Sequence, residues 1–437
     1  MMPSLLDWSA LSAAERKAAL RRPAQSDTHA LQEGVQSIVA AVRSQGDAAL
    51  LEYTQRFDGA TLASLEVTRS EYQAAETTLS TQQLQALQRA IDNVQRFHQA
   101  QLSETIRIET SPGVVCERQF RAIDAVGLYV PAGVAPLPSA AIMLAVPARI
   151  AGCPTRIICT PPRRDGTADP AVLMVAQLCG ASRVFKVGGA QAIAAMAYGT
   201  QSIPKVDKVF GPGNAWVTAA KLLVANDPEG AALDLPAGPS EVLVIADATA
   251  NAEFVAADLL AQAEHSADAQ VVLATTSRPL AEAVLQQLEL QMRRLGRAST
   301  LRESIAHSRL FLVDSLASAF ELSNAYAPEH LIVQVDNPRS WLPKVRNAGS
   351  VFLGAWTPET MGDYCSGINH VLPTYGFARA YSGLSMTDFM KRMTVQELSA
   401  DGLRDLGPTA ISIAELEGLD AHANAVQVRL AHLGARS

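Results

Sequence analysis

Two long stretches of the chain alternate short apolar runs, typical of β-strands, with alanine-rich runs, typical of α-helices. The first covers about residues 120–226, and the second begins at EVLVIAD and ends at SVFLG. Continuous apolar strands separated by helices indicate parallel sheets with right-handed crossover connections. We therefore predict an α/β protein with two open sheets and a cleft between them, in which ligands collect at the carboxyl ends of the strands.

The segments that flank these two arrays have different patterns. Residues 30–104 place apolar side chains three or four positions apart, which predicts helices. From about residue 384 the chain has no strand pattern, and we predict short helices there. This tail is too small for a core of its own, so we expect it to dock on its own chain or on a partner subunit.

Composition limits the class of protein. A chain of 437 residues is too long for one compact core, so roughly two to four domains are expected. A net charge of −7, the lack of a basic block and an aromatic content of 5% argue against nucleic-acid binding. The chain has no signal-peptide pattern, no apolar run long enough to span a membrane and an odd number of cysteines, five. We expect a soluble cytoplasmic protein with no membrane partner.

The run DLLAQAEH places Gln262 and His265 three residues apart on a predicted helix. Residues at this spacing lie on one side of a helix, so the two side chains could share a metal ion. An ordinary polar face with nothing bound would have the same spacing, and the pattern alone leaves both interpretations open.

The run APEHLIVQV places Glu329 and His330 immediately before an apolar strand. Histidine suits proton transfer near neutral pH, and a glutamate can activate water. Adjacent residues on a strand point in opposite directions, so we do not expect a side-by-side pair, although both could line a cleft. A polar entry to a strand is the alternative.

A long polar segment, TPETMGDYCSGINHVLPTYGFARAYSGLS, follows the last predicted strand. Long loops in α/β proteins are often functional, and this one contains Asp363, Ser366, Asn369 and His370. No basic residue adjoins Cys365, which we interpret as a packing residue.

Three further features are weaker on their own. The tail places Glu417 and His422 five residues apart. KVGGAQ and FGPGNAW are strand–glycine–helix junctions, which suit either an anionic phosphate group or a tight connection. The remaining histidines lie among polar residues and are predicted to face solvent: His29, His98, His307 and His432.

Taken together, these segments resemble the histidinol dehydrogenases. The similarity is carried by long motifs, among them GLYVPAGVAPLPS, KVGGAQAIAAMAYGT, VFGPGNAWVTAAK and GDYCSGINHVLPTYG, and it extends from about residue 45 to 430. It implies a zinc-dependent enzyme of histidine biosynthesis that oxidises L-histidinol through L-histidinal to L-histidine with two NAD⁺, a four-electron oxidation.

The resemblance also implies an architecture, an intertwined homodimer whose subunits contain two incomplete Rossmann-like sheets and share their active sites. We accordingly expect an N-terminal helical segment (1–28), a discontinuous first α/β domain with the metal site (29–127 with 241–383), a second α/β domain on the NAD side (128–240) and a helical tail that docks on the partner subunit (384–437).

The resemblance assigns roles to individual positions. One zinc ion per subunit would be held by Gln262, His265, Asp363 and, from the other subunit, His422. Substrate contacts would be Ser240, Gln262, His265, Glu329, His330, Asp363, His370, Glu417 and His422. NAD contacts would be Tyr129, Gln191 and Asn214. The catalytic residues would be His330, which accepts protons, and Glu329, which activates water. A nitrogen and oxygen ligand set of this kind also accepts Mn²⁺ or Co²⁺.

Two rival functions remain from the sequence. A related dehydrogenase could act on another small polar alcohol, but a carboxylate at Glu417 suits a cationic amine and would repel an anionic substrate. A non-catalytic scaffold would be expected to lose Glu329, His330 or a metal ligand, and this chain keeps all of them.

Overall fold

The computed structural model describes residues 3–23, 28–102, 104–132, 135–236 and 238–435. The chain divides into two compact units. The first comprises Met1–Ala100 with Ile123–Phe389, and the second comprises Gln101–Ala122 with Met390–Ser437.

The strands are β1 (Ser4–Asp7), β2 (Ile106–Ser111), β3 (Val114–Ala122), β4 (Ala125–Tyr129), β5 (Thr155–Thr160), β6 (Arg183–Lys186), β7 (Lys208–Phe210), β8 (Ala232–Leu233), β9 (Glu241–Ala246), β10 (Gln270–Thr275), β11 (Arg309–Leu312), β12 (His330–Gln334), β13 (Ser350–Leu353) and β14 (Met390–Leu398). The helices are α1 (Ala13–Ala19), α2 (Thr28–Gln45), α3 (Asp47–Asp58), α4 (Arg69–Thr78), α5 (Thr81–Gln99), α6 (Pro138–Ala151), α7 (Pro170–Leu178), α8 (Gly189–Tyr198), α9 (Ala215–Ala225), α10 (Ala252–Ala263), α11 (Arg278–Met292), α12 (Ala298–Ala306), α13 (Leu316–Tyr326), α14 (Glu359–Tyr364), α15 (Ala400–Leu416) and α16 (Asp420–Gly434). Short 3₁₀ helices cover Pro338–Lys344, Phe377–Arg379 and Met386–Phe389.

Both sheets of the first unit are parallel, as the two apolar arrays predict. One has five strands in the order β6-β5-β4-β7-β8, and the other has six in the order β1-β11-β10-β9-β12-β13. If β1 is set aside, each sheet follows the chain order 3-2-1-4-5, which is the order of the first five strands of a doubly wound dinucleotide-binding sheet. In each sheet the chain adds strands first on one side of β4 or β9 and then on the other side, so the order of the strands reverses beside that strand.

The central strands of the six-stranded sheet explain why their sequences are continuously apolar. All six residues of β9 (EVLVIA) and all six of β10 (QVVLAT) are buried, because helices cover both faces of the sheet. Polar caps define the helices between the strands. Asn251 caps α10 and Ser277 caps α11, each by accepting a backbone N–H of the first turn.

The N-terminal segment is not purely helical, contrary to the prediction for residues 1–28. It begins with β1, which pairs in parallel with β11 from Ser4↔Arg309 to Asp7↔Leu312. The run SLLD is too short for a periodic pattern, so only its pairing with a distant strand makes it a strand. The helix α1 follows, with a capping box formed by Ser12 and Glu15.

Helices α2 and α3 differ from the expected grouping of residues 29–127 with 241–383. Their buried residues, among them Val35 and Leu50, share a hydrophobic core with Ile193 and Val209 of the five-stranded sheet layer. Their amphipathic pattern predicts a buried face, but not which of two equally apolar layers will cover it.

In the second unit, β14, β3 and β2 form an antiparallel sheet, and α15 packs on α16. The prediction of a purely helical tail from residue 384 is therefore wrong for Met390–Leu398, which pair along the whole length of β3. This strand, MKRMTVQEL, is mostly exposed and lacks an apolar face, so it has no alternation of the kind that identifies a half-buried strand.

The helices and the cysteines were compared with the expectations for a membrane protein and for a disulfide-bonded protein. Among the described residues, no helix has both the length and the apolar character needed to cross a membrane. All five cysteines lie in described segments and are free thiols.

Candidate active site

The candidate site lies at the amino ends of β9 and β12, not at the carboxyl ends where we expected ligands to collect in this sheet. The reason is the crossover connection. Helix α10 follows β9 and must run back before β10 begins, which brings its C-terminal end to the amino edge of the sheet. Gln262 and His265 therefore meet the residues that precede the strands, and Oγ of Ser240 lies 3.5 Å from Nδ1 of His265.

Three side chains form a group that could hold a metal ion. One potential ligand atom from each of His265, Glu359 and Asp363 lies within 4.8 Å of the other two. Glu359 and Asp363 are one helical turn apart on α14 and so lie on the same face. Glu359 is not among the residues predicted from the sequence, although its spacing of four residues from Asp363 is a signal that could have identified it.

Gln262 is fully buried beside this group. Its amide is satisfied when Nε2 donates to Oε2 of Glu359 at 2.8 Å and Oε1 faces the backbone N–H of Glu241 at 3.2 Å. Glu359 thereby determines the orientation of the amide, and the carbonyl oxygen of Gln262 keeps a second lone pair for another partner.

Glu329 and His330 are side by side, contrary to our prediction from strand alternation. Oε2 of Glu329 lies 3.6 Å from Nδ1 of His330. Alternation applies only within a strand, and β12 begins at His330 after a turn in which Ala327 adopts a left-handed backbone conformation (φ 55°). The side chains of Glu329 and His330 therefore lie next to each other and not on opposite faces of the sheet.

The imidazole of His330 contacts both the backbone and Asp363. Nδ1 lies 3.2 Å from the carbonyl oxygen of Glu241, and Nε2 lies 3.5 Å from Oδ1 of Asp363. In the neutral form of the ring, with the proton on Nδ1 donated to the carbonyl, Nε2 carries the free lone pair. Within the described chain this buried Nε2 has no hydrogen-bond partner, so it is available to a substrate.

Burial and neighbouring charges perturb these groups strongly. Burial opposes protonation of His330, but the carboxylates of Glu359 and Glu329 outweigh it and raise the pKa of His330 well above its ordinary value. Burial raises the pKa of Glu359 well above its ordinary value, against the opposing charge of His330. For Asp363, burial acts to raise the pKa, but the adjacent imidazole of His330 lowers it overall. A cluster with several competing carboxylates is suited to a cation.

His370 joins the same cluster from the polar loop. Its Nδ1 lies 2.7 Å from the backbone oxygen of Asp363, which anchors the ring beside the predicted ligand. Burial lowers the pKa of His370, so its neutral form is favoured. The structure thus brings together seven of the predicted residues: Ser240, Gln262, His265, Glu329, His330, Asp363 and His370.

Glu417 and His422 belong to the second unit. Glu417 is the C-terminal cap of α15, His422 lies in the first turn of α16, and both are exposed. Neither belongs to the metal-binding group identified among the described residues. Their contribution to a site stays a prediction.

A cavity of about 1160 Å³ extends from His265 of the metal-binding group to the predicted NAD contacts. His265 and Tyr364 line it together with Tyr129, Gln191 and Asn214. Its other side is the carboxyl edge of the five-stranded sheet, since Tyr129 ends β4. Cys365, which we interpreted as a packing residue, also lines this cavity.

Both predicted strand–glycine–helix junctions occur at the cavity. Gly189, with a φ of 65°, begins α8, and its N–H donates to the Tyr129 hydroxyl at 3.1 Å. Asn214 caps α9 by accepting from the N–H groups of Trp216 and Val217. Two helix N-termini thus face a space large enough for a cofactor.

One histidine prediction is wrong. His98 is fully buried rather than solvent-facing, and its Nδ1 lies 2.8 Å from the carbonyl oxygen of Val94. Val94 precedes it by four residues on α5, so the apolar face of this helix includes His98. His29, His307 and His432 are exposed as predicted.

Comparison with known proteins gives one consistent result. The histidinol dehydrogenase family model matches residues 20–430. The chain is 56% identical over 425 residues to a histidinol dehydrogenase from Xanthomonas campestris pv. campestris (strain 8004), with 97% of this chain and 98% of the relative covered. It is 54% identical over 430 residues to the enzyme of that name from Vibrio vulnificus (strain YJ016), with 98% and 99% covered.

A solved structure agrees with these relatives. The crystal structure of histidinol dehydrogenase from Elizabethkingia anophelis matches with a TM-score of 0.95 and 45% identity, and the match covers 99% of each chain. The chain therefore belongs to the histidinol dehydrogenase family, and it is an oxidoreductase that acts on histidinol in histidine biosynthesis.

Proposed function

We propose that this protein performs the complete zinc- and NAD-dependent oxidation of L-histidinol to L-histidine, with L-histidinal as the intermediate. The observation that carries the proposal is the adjacency of the Glu329–His330 pair to a group of metal-ligand side chains, one of which, His265, lines a large cavity. The residues predicted to bind NAD line the same cavity.

The side chains at the site fit a zinc ion. The available donors are an amide oxygen, an imidazole and carboxylates, all of which zinc accepts. In the proposed set, Gln262, His265 and Asp363 would hold the ion together with the partner subunit's His422. When bound, zinc would stabilise negative charge and orient the imidazole and amine of histidinol. The buried Nε2 of His330, without a hydrogen-bond partner in the described chain, lies beside this group and supports the fit.

In the first oxidation, the neutral form of His330 accepts the hydroxyl proton of the bound alcohol at Nε2. The Nδ1–H group donates to the backbone oxygen of Glu241, which holds the ring in the tautomer that a base requires. NAD⁺ would accept the hydride of each oxidation, and Tyr129, Gln191 and Asn214 would hold it in the cavity that they line.

In the second oxidation, Glu329 removes a proton from the water that adds to the aldehyde. Its carboxylate accepts the backbone N–H of Glu241 at 2.9 Å, which leaves the other oxygen free to contact water. His330 then accepts a proton again as the hydrate is oxidised. The two residues act in sequence on one bound substrate, so the aldehyde does not have to leave between steps.

The proposal includes the assembly and its surroundings. Each active site would be shared within an intertwined homodimer of four-domain subunits, whose sheets are incomplete Rossmann-like units. The tail of one subunit would supply Glu417, to pair with the substrate ammonium group, and His422 to the site of its partner. The five free thiols favour a reducing compartment such as the cytoplasm.

A steady-state assay tests the proposal. Zinc-loaded protein with L-histidinol should form two NADH per substrate consumed, and an alcohol of similar size that carries a carboxylate or sulfonate should react much more slowly. Faster turnover of the anionic alcohol would indicate a related dehydrogenase with a different substrate. Failure to turn over either alcohol would favour the scaffold alternative.

A further inference from the structure

The peptide groups of Glu241 contact three residues of the active site at once. The N–H of Glu241 donates to Oε2 of Glu329 at 2.9 Å and faces Oε1 of Gln262 at 3.2 Å. The carbonyl oxygen of Glu241 lies 3.2 Å from Nδ1 of His330. The position of this one stretch of backbone therefore determines the orientation of both catalytic side chains.

Arg22, in the N-terminal segment, binds the carboxylate of Glu241. Nε and Nη2 of Arg22 each donate to a different carboxylate oxygen of Glu241, both at 2.7 Å. Nη2 also donates to the backbone oxygen of Tyr326 at 2.8 Å, and the guanidinium lies 4.0 Å from the centre of the Tyr326 ring. The backbone N–H of Tyr375 donates to the same carboxylate.

This ion pair is buried and depends on both partners. The side chain of Arg22 is 12% exposed and that of Glu241 is 2% exposed. Burial raises the pKa of Glu241, and the hydrogen bonds and charge of Arg22 oppose that effect. A two-pronged arginine–carboxylate contact fixes orientation as well as charge, and loss of one partner leaves a buried charge without compensation.

We propose that Arg22 is a positioning residue for the reaction, which acts through Glu241 to hold Glu329 and His330 in their reactive orientations. The inference rests on the proposed roles of those two residues. It gives the N-terminal segment a function in catalysis, although Arg22 is separated from Glu241 by 219 positions in the sequence.

Removal of Arg22 should disturb the pair without removing any group that contacts substrate or cofactor. The uncompensated carboxylate would have to take up a proton or turn away, and the backbone that carries it would shift with it. Displacements of about 1 Å in an active site can cost about 10²-fold in rate. We therefore expect Arg22→Met to lower kcat roughly 10- to 100-fold, with little change in the KM for NAD⁺ or in bound zinc.

Two companion variants separate positioning from stability. Arg22→Lys keeps the positive charge but cannot donate to both carboxylate oxygens of Glu241 in the arginine geometry. Its kcat should therefore lie between those of the wild type and Arg22→Met. In the double variant Arg22→Met/Glu241→Gln, the neutral amide can still accept the N–H of Tyr375 and leaves no buried charge, so kcat should recover relative to Arg22→Met alone. A role in stability only would change the thermal midpoint in these variants but not kcat.

Arg163→Met is the control. The half-exposed Arg163 pairs with Asp169, whose side chain is 6% exposed, and neither residue lines the cavity. Its loss also leaves a buried carboxylate without its cation, so thermal stability should fall while kcat stays at the wild-type value. All assays are done below the unfolding transition of each variant, as followed by circular dichroism, with zinc content measured.

The outcomes distinguish this inference from the proposed function. Folded, zinc-loaded Arg22→Met with wild-type kcat would overturn the inference. If Arg22→Met does not fold, Arg22→Lys decides, since wild-type kcat in that variant would count equally against it. If His330→Asn and Glu329→Gln also keep wild-type kcat, the proposed roles of the pair fail as well. If only those two variants lose activity, the pair is catalytic and Arg22 does not position it.

Discussion

Nε2 of His330 lies 3.5 Å from Oδ1 of Asp363. The two side chains come from different elements, the start of β12 and the end of α14, and they meet where the amino edge of the sheet faces the polar loop. This contact places the proposed base beside a proposed metal ligand. An alcohol bound at that point would present its hydroxyl to both, which is what the first oxidation requires.

His330→Asn should lower kcat by about 10²–10⁴-fold, because the lost group accepts protons in both oxidations. Asparagine can still donate to the backbone oxygen of Glu241, so the affinities for zinc and histidinol should change little. Stopped-flow NADH formation, zinc analysis and calorimetric binding of histidinol would measure these effects. His307→Asn, at an exposed position, is the control. Retention of most of the kcat would remove His330 from the proposed role.

Glu329→Gln should impair the second oxidation more than the first. The amide oxygen can still accept the N–H of Glu241, but the side chain can no longer take a proton from water. NADH formation from L-histidinal should therefore show a larger defect than the first hydride transfer from L-histidinol in a single turnover. Equal defects in the two steps would contradict the assignment of water activation to Glu329.

Glu359→Gln should weaken zinc binding by about 10- to 100-fold, as is typical when a partner of a metal ligand is changed. Glu359 accepts from Nε2 of Gln262 and lies in the group with His265 and Asp363. Its replacement by glutamine keeps an oxygen that can accept from Gln262 but removes the ionisable carboxyl beside the ion. Competition with a fluorescent zinc chelator would measure the affinity. An unchanged affinity would mean that the carboxylate of Glu359 does not contribute to zinc binding.

Asp258→Asn should stabilise the zinc-free protein at pH 8 but not at pH 4. Burial raises the pKa of Asp258 from its ordinary value of 3.8 to about 7, against a hydrogen bond from Gln334. Stability from the protonated carboxyl is therefore fully present below about pH 4 and is lost as the pH rises to about 7. Above that pH the cost is at most about 4 kcal/mol, because each tenfold change in a protonation equilibrium corresponds to about 1.4 kcal/mol.

Urea unfolding of chelator-treated protein at the two pH values would measure the effect of Asp258→Asn. Asp336→Asn, at an exposed position, serves as the control and should show no such pH dependence. A gain that is equal at pH 4 and pH 8 would mean that the carboxyl of Asp258 does not titrate in this range in the folded protein.

Subunit mixing tests whether His422 serves the partner's site. His265→Ala and His422→Ala homodimers should each be inactive, because every site has one lesion. In the heterodimer of a shared-site enzyme, one site collects both lesions and the other collects none, so up to about half of the wild-type activity should return. Zinc content should recover in parallel, since an ion held by both chains stabilises the dimer.

If His422 instead completes the site of its own chain, mixing restores neither activity nor zinc, because every site keeps one lesion. Exchange itself is checked with differently tagged subunits and native mass spectrometry. Proven exchange without recovery would exclude the shared site.

Much of the fold follows from the sequence, because its signals are local. Continuous apolar runs such as EVLVIAD indicate strands that are buried on both faces, and the spacing of Gln262 and His265 places both on one side of α10. The strand–glycine–helix junctions and the long motifs are equally local, and the motifs correctly predicted the family before any contact was known.

Tertiary contacts decided the rest, since they depend on which distant segments meet. The return of α10 across the sheet brings Gln262 to the amino edge, where Glu359 orients its amide. A left-handed turn at Ala327 makes Glu329 and His330 neighbours in space, against the alternation that a strand would impose. Arg22 and Glu241 pair across 219 positions, and no local pattern marks either residue. The sequence by itself determined most of the strands, helices and candidate side chains. Long-range packing decided their relative geometry and the strands β1 and β14, because only packing brings groups from separate elements within contact distance.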